Sequence, residues 1–193
     1  MNLAEVQPGH LVQPGHLVQP GHLVHLGLGT NLGERWRHLA TALTSLFELD
    51  SGLALSSVYE TAPLGGPEGQ GPYLNLVVAL QYSGTPHSLL EVAHELEAAA
   101  GRVRLERWGP RTLDVDLLFF EGETSQDPEL TLPHPRVYER AFVLAPLEEL
   151  APWLVPVDWR ERLGGATAVA TEVRRVGAIV PARDFTAVAE QPR

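Results

Sequence analysis

The chain contains no cysteine and no lysine. Without thiols there is no disulfide, no thiolate zinc site and no cysteine nucleophile. Without lysine, all fourteen basic side chains are arginine. That excludes a P-loop lysine, a Schiff base and a kinase-type strand lysine, so any phosphate chemistry must run on guanidinium groups, metal ions and backbone. Long apolar runs and a basic-then-apolar leader are also missing, so the chain reads as soluble and cytoplasmic, with no membrane partner. Positive charge is scarce as well. A net charge of −10 over 193 residues argues against a nucleic-acid partner or an anionic lipid surface.

Against that acidic background, residues 101–120 (G-R-V-R-L-E-R-W-G-P-R-T-L-D-V-D-L-L-F-F) concentrate Arg102, Arg104, Arg107 and Arg111 ahead of a strand-like alternation. Leu113, Val115, Leu117 and Phe119 point to one face; Thr112, Asp114 and Asp116 point to the other. Residues two apart on a strand sit roughly 6.5–7 Å apart on one face. Asp114 and Asp116 are therefore neighbouring carboxylates on a stiff element, a pair suited to divalent cations that bridge phosphate oxygens. Gly109-Pro110 places a rigid turn before Arg111, at the strand's entrance. A solvated D-x-D face is the plain alternative, but the polar face becomes apolar at Leu118 and Phe120, as at the mouth of a cleft.

In chain order, residues 6–23 are three copies of V-Q-P-G-H-L, and Pro-Gly every six residues makes 1–23 a disordered repeat leader. The domain starts at Val24 and runs to 160, with 161–193 a partly ordered C-terminal extension. Val24, Leu26 and Leu28 alternate as a strand. Gly27 and Gly29 would admit close approach of a ligand or backbone, but a lone G-x-G-x-N-x-G is a weak signal and a tight strand-to-helix turn is the preferred reading of them. Residues 34–48 have helical periodicity, with Thr30 or Asn31 supplying polar atoms near the start. A second strand covers Leu53 to Glu60. Thr61 to Pro72 is a long Gly/Pro-rich loop of the kind that serves binding, and Tyr73 to Tyr82 is a third strand with Asn75 opposite its apolar face. Thr85-Pro86 opens a second helix that stops at Gly101. Glu97 opposes that helix's dipole, which points to a partner such as Arg102 or a ligand, with a surface glutamate the plain alternative. His134 is held between Pro133 and Pro135, and a third helical stretch covers Arg140 to Leu150. The order strand-helix-strand-strand-helix-strand predicts an α+β, ferredoxin-like split βαβ fold: an antiparallel sheet with helices on one face and a ligand cleft on the other. A nucleotidyltransferase or a ferredoxin-like binding module shares parts of this pattern.

R-W-G-P-R-T-L-D-V-D-L-L (107–118) resembles the signature of the 6-hydroxymethyl-7,8-dihydropterin pyrophosphokinases of folate biosynthesis. G-T-N-L-G (29–33), Y-E-T-A-P-L-G (59–65), Y-L-N (73–75), G-R-V-R (101–104) and L-P-H-P-R (132–136) fall in the same order. The resemblance implies a monomeric enzyme that moves pyrophosphate from ATP to the pterin hydroxymethyl group, leaving AMP, with two Mg²⁺ ions held by Asp114 and Asp116. It makes Arg102 and Arg111, with the two aspartates, the catalytic set. Glu97, Arg104, Arg107, Trp108, Arg111, His134 and Arg140 would bind ATP. Thr61, Leu64, Tyr73, Asn75 and Phe142 would bind the pterin.

Overall fold

The computed structural model describes residues 21–102 and 109–180. Its centre is a six-stranded antiparallel sheet. The main path runs β5 (Asp114–Phe120), β1 (His22–Thr30), β4 (Tyr73–Tyr82), β3 (Val58–Thr61) and β8 (Val173–Gly177), and β2 (Ala54–Leu55) also pairs with β4. Two short strands, β6 (Ser125–Gln126) and β7 (Thr131–Leu132), form a separate ribbon. Helices α1 (Arg35–Leu49) and α2 (Pro86–Ala99) cover one sheet face. Leu39, Leu43 and Leu46 of the first and Leu89, Ala93 and Leu96 of the second close a core over Val24, Leu26, Leu28, Leu74, Leu76, Val78 and Leu80. Burying these apolar stripes is the dominant favourable contribution to folding. The other face is covered at one end by α3 (Ala141–Leu150), α4 (Trp159–Arg162) and α5 (Ala166–Glu172), which pack on Val77, Leu118 and Phe119. The rest of that face lines the cleft.

The third strand and second helix lie where the sequence placed them. Thr85 caps α2 by accepting from Ser88 N, with Pro86 in its first turn, and Gly101 follows its end at φ +70°, a conformation glycine adopts at no steric cost. Four expectations need correction. First, β1 starts at His22 rather than Val24, because His22 and Leu23 pair with Tyr82 and Gln81 while Leu23 N donates to the Glu121 carboxylate. Second, the strand predicted over 53–60 is broken at Ser56 and Ser57. There Ser56 N still donates to Val77 O, but the Val77 N–H goes to the Ser56 hydroxyl, which itself donates to Ser57 O. Third, neither Thr30 nor Asn31 caps α1, whose N-cap is Glu34 without a side-chain bond. Fourth, the strand predicted from Thr112 begins at Asp114, and its alternation fails at Leu118. His25 faces Phe119 and Leu26 faces Leu117, so Leu118 is an extra residue on β5. Leu118 and Phe119 thus both reach the second core, while Phe120 turns to the first.

The C-terminal segment contributes β8, which pairs with β3 along the sheet edge and sets Arg174 beside Glu60 at 2.6 Å. No described helix is long and apolar enough to cross a membrane.

Candidate active site

The register of the central strands assembles the site. Gly29 of β1 pairs with Asn75 on β4 and with Asp114 on β5; two residues back, Gly27 pairs with Val77 and Asp116. Asn75, Gly29 and Asp114 therefore form one row across the open face, with a second row behind it ending at Asp116. Gly29 is where a side chain would crowd the floor: a Cβ there would lie 3.1 Å from Asn75 Oδ1 and 3.9 Å from Asp114 Cβ and a Tyr73 ring carbon. The turn preferred from the sequence is a further expectation to correct at Gly29, which lies inside β1 and is paired on both sides. The result is a flat floor between a carboxylate pair and a buried amide.

Two cavities meet on this floor. The smaller, about 410 Å³, is lined by Gly29, Thr61, Leu64, Tyr73, Asn75 and Phe142, together with other residues of β1, β4 and α3. The larger, about 990 Å³, runs past Leu90, His94, Glu97, Arg102, Thr131 and His134. Arg111, Asp114 and Asp116 line both and so form the junction. All five residues assigned to the pterin line the smaller cavity. Of those assigned to ATP, Glu97, Arg111 and His134 line the larger one, while Arg140 lies on the smaller side. Arg104, Arg107 and Trp108 lie outside the described residues.

The charges at the junction are unevenly matched. Asp114 accepts from Arg102 at 2.8 Å and also from Arg111. Arg102 in turn is paired with Glu97, whose carboxylate additionally accepts from Val115 N at 3.0 Å. Glu97 is 6% exposed. Its place against the helix dipole is thus offset by Arg102 and the β5 backbone, and it holds the arginine rather than standing free. Asp116 has a weaker counter-charge, Arg140 at 3.7 Å. Desolvation first, and Asp114 second, push its carboxyl up to about 6.

His134 is fixed by the bulge. Its backbone N donates to the carbonyl of Leu118, the extra residue of β5, at 2.9 Å. Its Nδ1 accepts from Arg136 N at 3.1 Å. Burial, then the nearby Arg140 and Arg136, lower its pKa. The ring is thus held neutral, with Nε2 carrying the proton as a donor on the larger cavity's wall. Arg140 also lies over the Phe142 ring, 5.5 Å from its centroid.

Asn31, read from sequence as a helix-start residue, instead ties two loops together. Its Oδ1 accepts from Arg111 N at 2.7 Å, and its Nδ2 donates to Gln70 Oε1 at 3.0 Å and Gly71 O at 3.3 Å. A G-T-N-L-G turn carries no sign of that role, because both partners lie far along the chain. The smaller cavity's loop is therefore pinned to the arginine at the junction. Replacing Glu97 by glutamine keeps an acceptor for Val115 N but leaves Arg102 short of a charge. Breaking a buried pair this way costs about 3 kcal/mol, so the melting temperature is expected to fall by several degrees. An unchanged melt would mean the pair does not hold the site.

Magnesium fits this donor set. Among the described residues no cluster of three or more His, Cys, Asp or Glu side chains could hold a metal. Two adjacent carboxylates, one of them poorly compensated, match an ion that takes few protein ligands and completes its shell with water and phosphate oxygens.

Residues 25–152 match the profile of the family described as 7,8-dihydro-6-hydroxymethylpterin-pyrophosphokinase. A 2-amino-4-hydroxy-6-hydroxymethyldihydropteridine pyrophosphokinase of Methylorubrum extorquens is 48% identical over 132 residues, spanning 67% of this chain and 83% of the relative. The enzyme of the same description from Bacillus subtilis is 43% identical over 127 residues, or 65% of this chain and 75% of the relative. In fold, the chain resembles Plasmodium falciparum HPPK-DHPS crystallised with pteroate. The TM-score is 0.60 at 15% identity, covering 83% of this chain and 49% of that one.

Proposed function

This chain belongs to the 7,8-dihydro-6-hydroxymethylpterin-pyrophosphokinase family, whose members transfer pyrophosphate to hydroxymethyldihydropterin in folate biosynthesis, and from that premise we propose how its own residues divide the work. The pterin lies in the smaller cavity on the Gly29 floor. There the Asn75 amide, already donating to Thr61 Oγ1 at 2.9 Å, presents its carbonyl oxygen to the heterocycle's edge. Tyr73 and Phe142 offer ring faces to it, and Leu64, 77% exposed on its loop, closes over the outer side. ATP occupies the larger cavity. The observation that carries this reading is that the two cavities, one of heterocycle size and one large enough for a nucleotide triphosphate, share only a wall of charged groups: Arg111, Asp114 and Asp116.

Asp114 and Asp116 are the residues that would hold Mg²⁺, which when bound neutralises phosphate charge and makes the phosphorus more electrophilic. In the transfer, the hydroxymethyl oxygen forms a bond to the β-phosphorus of ATP. The bond from that phosphorus to the α–β bridging oxygen breaks, AMP leaves with the electron pair, and the hydroxyl proton is lost. Arg111 at the junction, with Arg102 beside it in the larger cavity, stabilises charge as AMP departs, and the His134 Nε2–H is a neutral donor for a phosphate oxygen. Such a reaction depends on positioning and electrostatics more than on covalent help from the protein. Each arginine must then exchange a carboxylate partner for a phosphate oxygen as the substrates bind.

The deciding experiment incubates the protein with ATP, Mg²⁺ and 6-hydroxymethyl-7,8-dihydropterin. AMP is expected in step with pterin diphosphate, and a chelator is expected to stop both. ADP as the nucleotide product, or AMP formed at the same rate without pterin, would overturn the assignment.

A further inference from the structure

Resting on the pterin reading of the smaller cavity, we propose that Arg136 binds the diphosphate group of the product and retains it on the pterin side after transfer. No phosphate-binding role is needed there for the substrate, because the hydroxymethyl pterin carries no phosphate. The product carries a diphosphate ester beside Asp114 and Asp116, carboxylates that repel it and that already engage the other two arginines of the cavity.

Three arginines line the same cavity: Arg111, Arg136 and Arg140. Two already face carboxylates, Arg111 on Asp114 and Arg140 toward Asp116. The Arg136 guanidinium makes no hydrogen bond or ion pair among the described residues and is exposed. Its backbone is nonetheless fixed. Its N–H donates to His134 Nδ1, and the next residue, Val137, is 1% exposed within the second core. The chain direction here sorts neighbouring residues between the two cavities. His134 and Pro135 line the nucleotide cavity, whereas Arg136, Glu139, Arg140 and Phe142 line the pterin cavity. A planar, permanently charged fork with no partner, anchored at the mouth of a cavity whose occupant becomes anionic by the reaction itself, is matched to a diphosphate. The same placement keeps it away from the nucleotide triphosphate.

The test measures equilibrium binding of three probes to wild-type protein, Arg136→Gln and Arg136→Lys: 6-hydroxymethyl-7,8-dihydropterin, its diphosphate, and a non-hydrolysable ATP analogue with Mg²⁺. Arg136→Gln is expected to weaken the diphosphate about tenfold, with the other two probes within about twofold, and Arg136→Lys to recover part of the loss. Product release should quicken in parallel. An equal loss for the ATP analogue would place Arg136 on the triphosphate, and no loss for the diphosphate would make it a solvated surface group; either result overturns the proposal. Wild-type protein that binds neither pterin probe would instead remove the pterin assignment of the cavity, a failure visible before any variant is compared. Because the side chain is exposed, a melting temperature matching wild type is expected for both variants.

Discussion

Replacing Asp116 by asparagine is expected to lower the rate of AMP formation by roughly three orders of magnitude while raising the melting temperature. The two effects share one cause. Asp116 stands on β5 beside Asp114, held there by the apolar side chains of Leu113, Val115 and Leu117 beneath it, and it contributes nothing to that packing. Its carboxylate is poorly compensated, with Arg140 at 3.7 Å, so the folded protein carries an unfavourable charge there. Asparagine keeps the shape and one acceptor oxygen but removes the negative charge that would hold Mg²⁺ against the triphosphate. The carboxyl's rise from 3.8 to about 6 would amount to about 3 kcal/mol on a dry group. With 35% of the side chain exposed, solvent screening reduces this to about 1 kcal/mol. That corresponds to about 2–4 °C for a chain of this length.

The pH dependence follows with a definite sign. Because the folded-state pKa lies above the unfolded one, protonated Asp116 favours the folded protein. This contribution is complete below about pH 4 and is lost as the pH rises through 6. The melting-temperature gap between Asp116→Asn and wild type should therefore be widest above pH 6 and vanish near pH 4. Thermal melts across that range, alongside single-turnover AMP formation over a Mg²⁺ titration, check both halves. Near-normal turnover at ordinary Mg²⁺ would refute the cation role. A variant that unfolds would show that Asp116 is structural.

The second large effect is expected at Gly29. Gly29→Val should abolish productive pterin binding, with a loss in affinity of about 100-fold, equivalent to about 2.7 kcal/mol, while the sheet stays intact. Gly29 lies within β1, paired on both sides, and its φ is not in the left-handed region, so a side chain there strains no dihedral. Valine also suits a strand. What it disturbs is the space above the sheet. Its Cβ would sit 3.1 Å from Asn75 Oδ1, the atom proposed to meet the heterocycle, and its methyl groups would project over the floor between Asn75 and Asp114. Affinity for an ATP analogue should change much less, since Gly29 does not line the larger cavity. Titrations of both ligands separate a blocked pterin cavity from a distorted junction, and equal losses would argue for the latter.

Much of the fold was legible because local chemistry and global packing agree. Tyr73 to Tyr82 alternates strictly, with Leu74, Leu76, Val78 and Leu80 on one side, and Thr85-Pro86 followed by Gly101 brackets a helix with its own start and stop signals. Reading failed where a distant partner outweighed the local pattern. Leu118 is extra on β5 only because β1 pairs with it out of step at His25 and Leu26, and no period-two count within Asp114–Phe120 announces that. Ser56 and Ser57 break a strand because Val77 offers its N–H to a hydroxyl. Of the candidate site, the sequence singled out Arg102, Arg111, Asp114 and Asp116, which the fold brings together at one cleft, while Arg104 and Arg107 lie outside the described residues. The site's geometry was not legible. That Gly29 is the hinge of the row, that Glu97 grips Arg102 and the β5 backbone, and that Arg136 turns to the other cavity from His134 all depend on register between strands many residues apart.

The edge strand β8 bears on how the protein is made. β1, between β5 and β4 in the sheet, is the first described element to leave the ribosome, and β3 follows early, yet the strand that covers the outer edge of β3 is the last described element to emerge. Throughout synthesis, until Val173–Gly177 is available, β3 presents unpaired N–H and C=O groups and a Glu60 carboxylate lacking its Arg174 partner. Nascent chains close together on one message are then exposed to edge-to-edge association, and a chain terminated before residue 173 keeps that exposure permanently. The C-terminal segment thus serves as a guard against self-association as well as the sixth strand of a sheet.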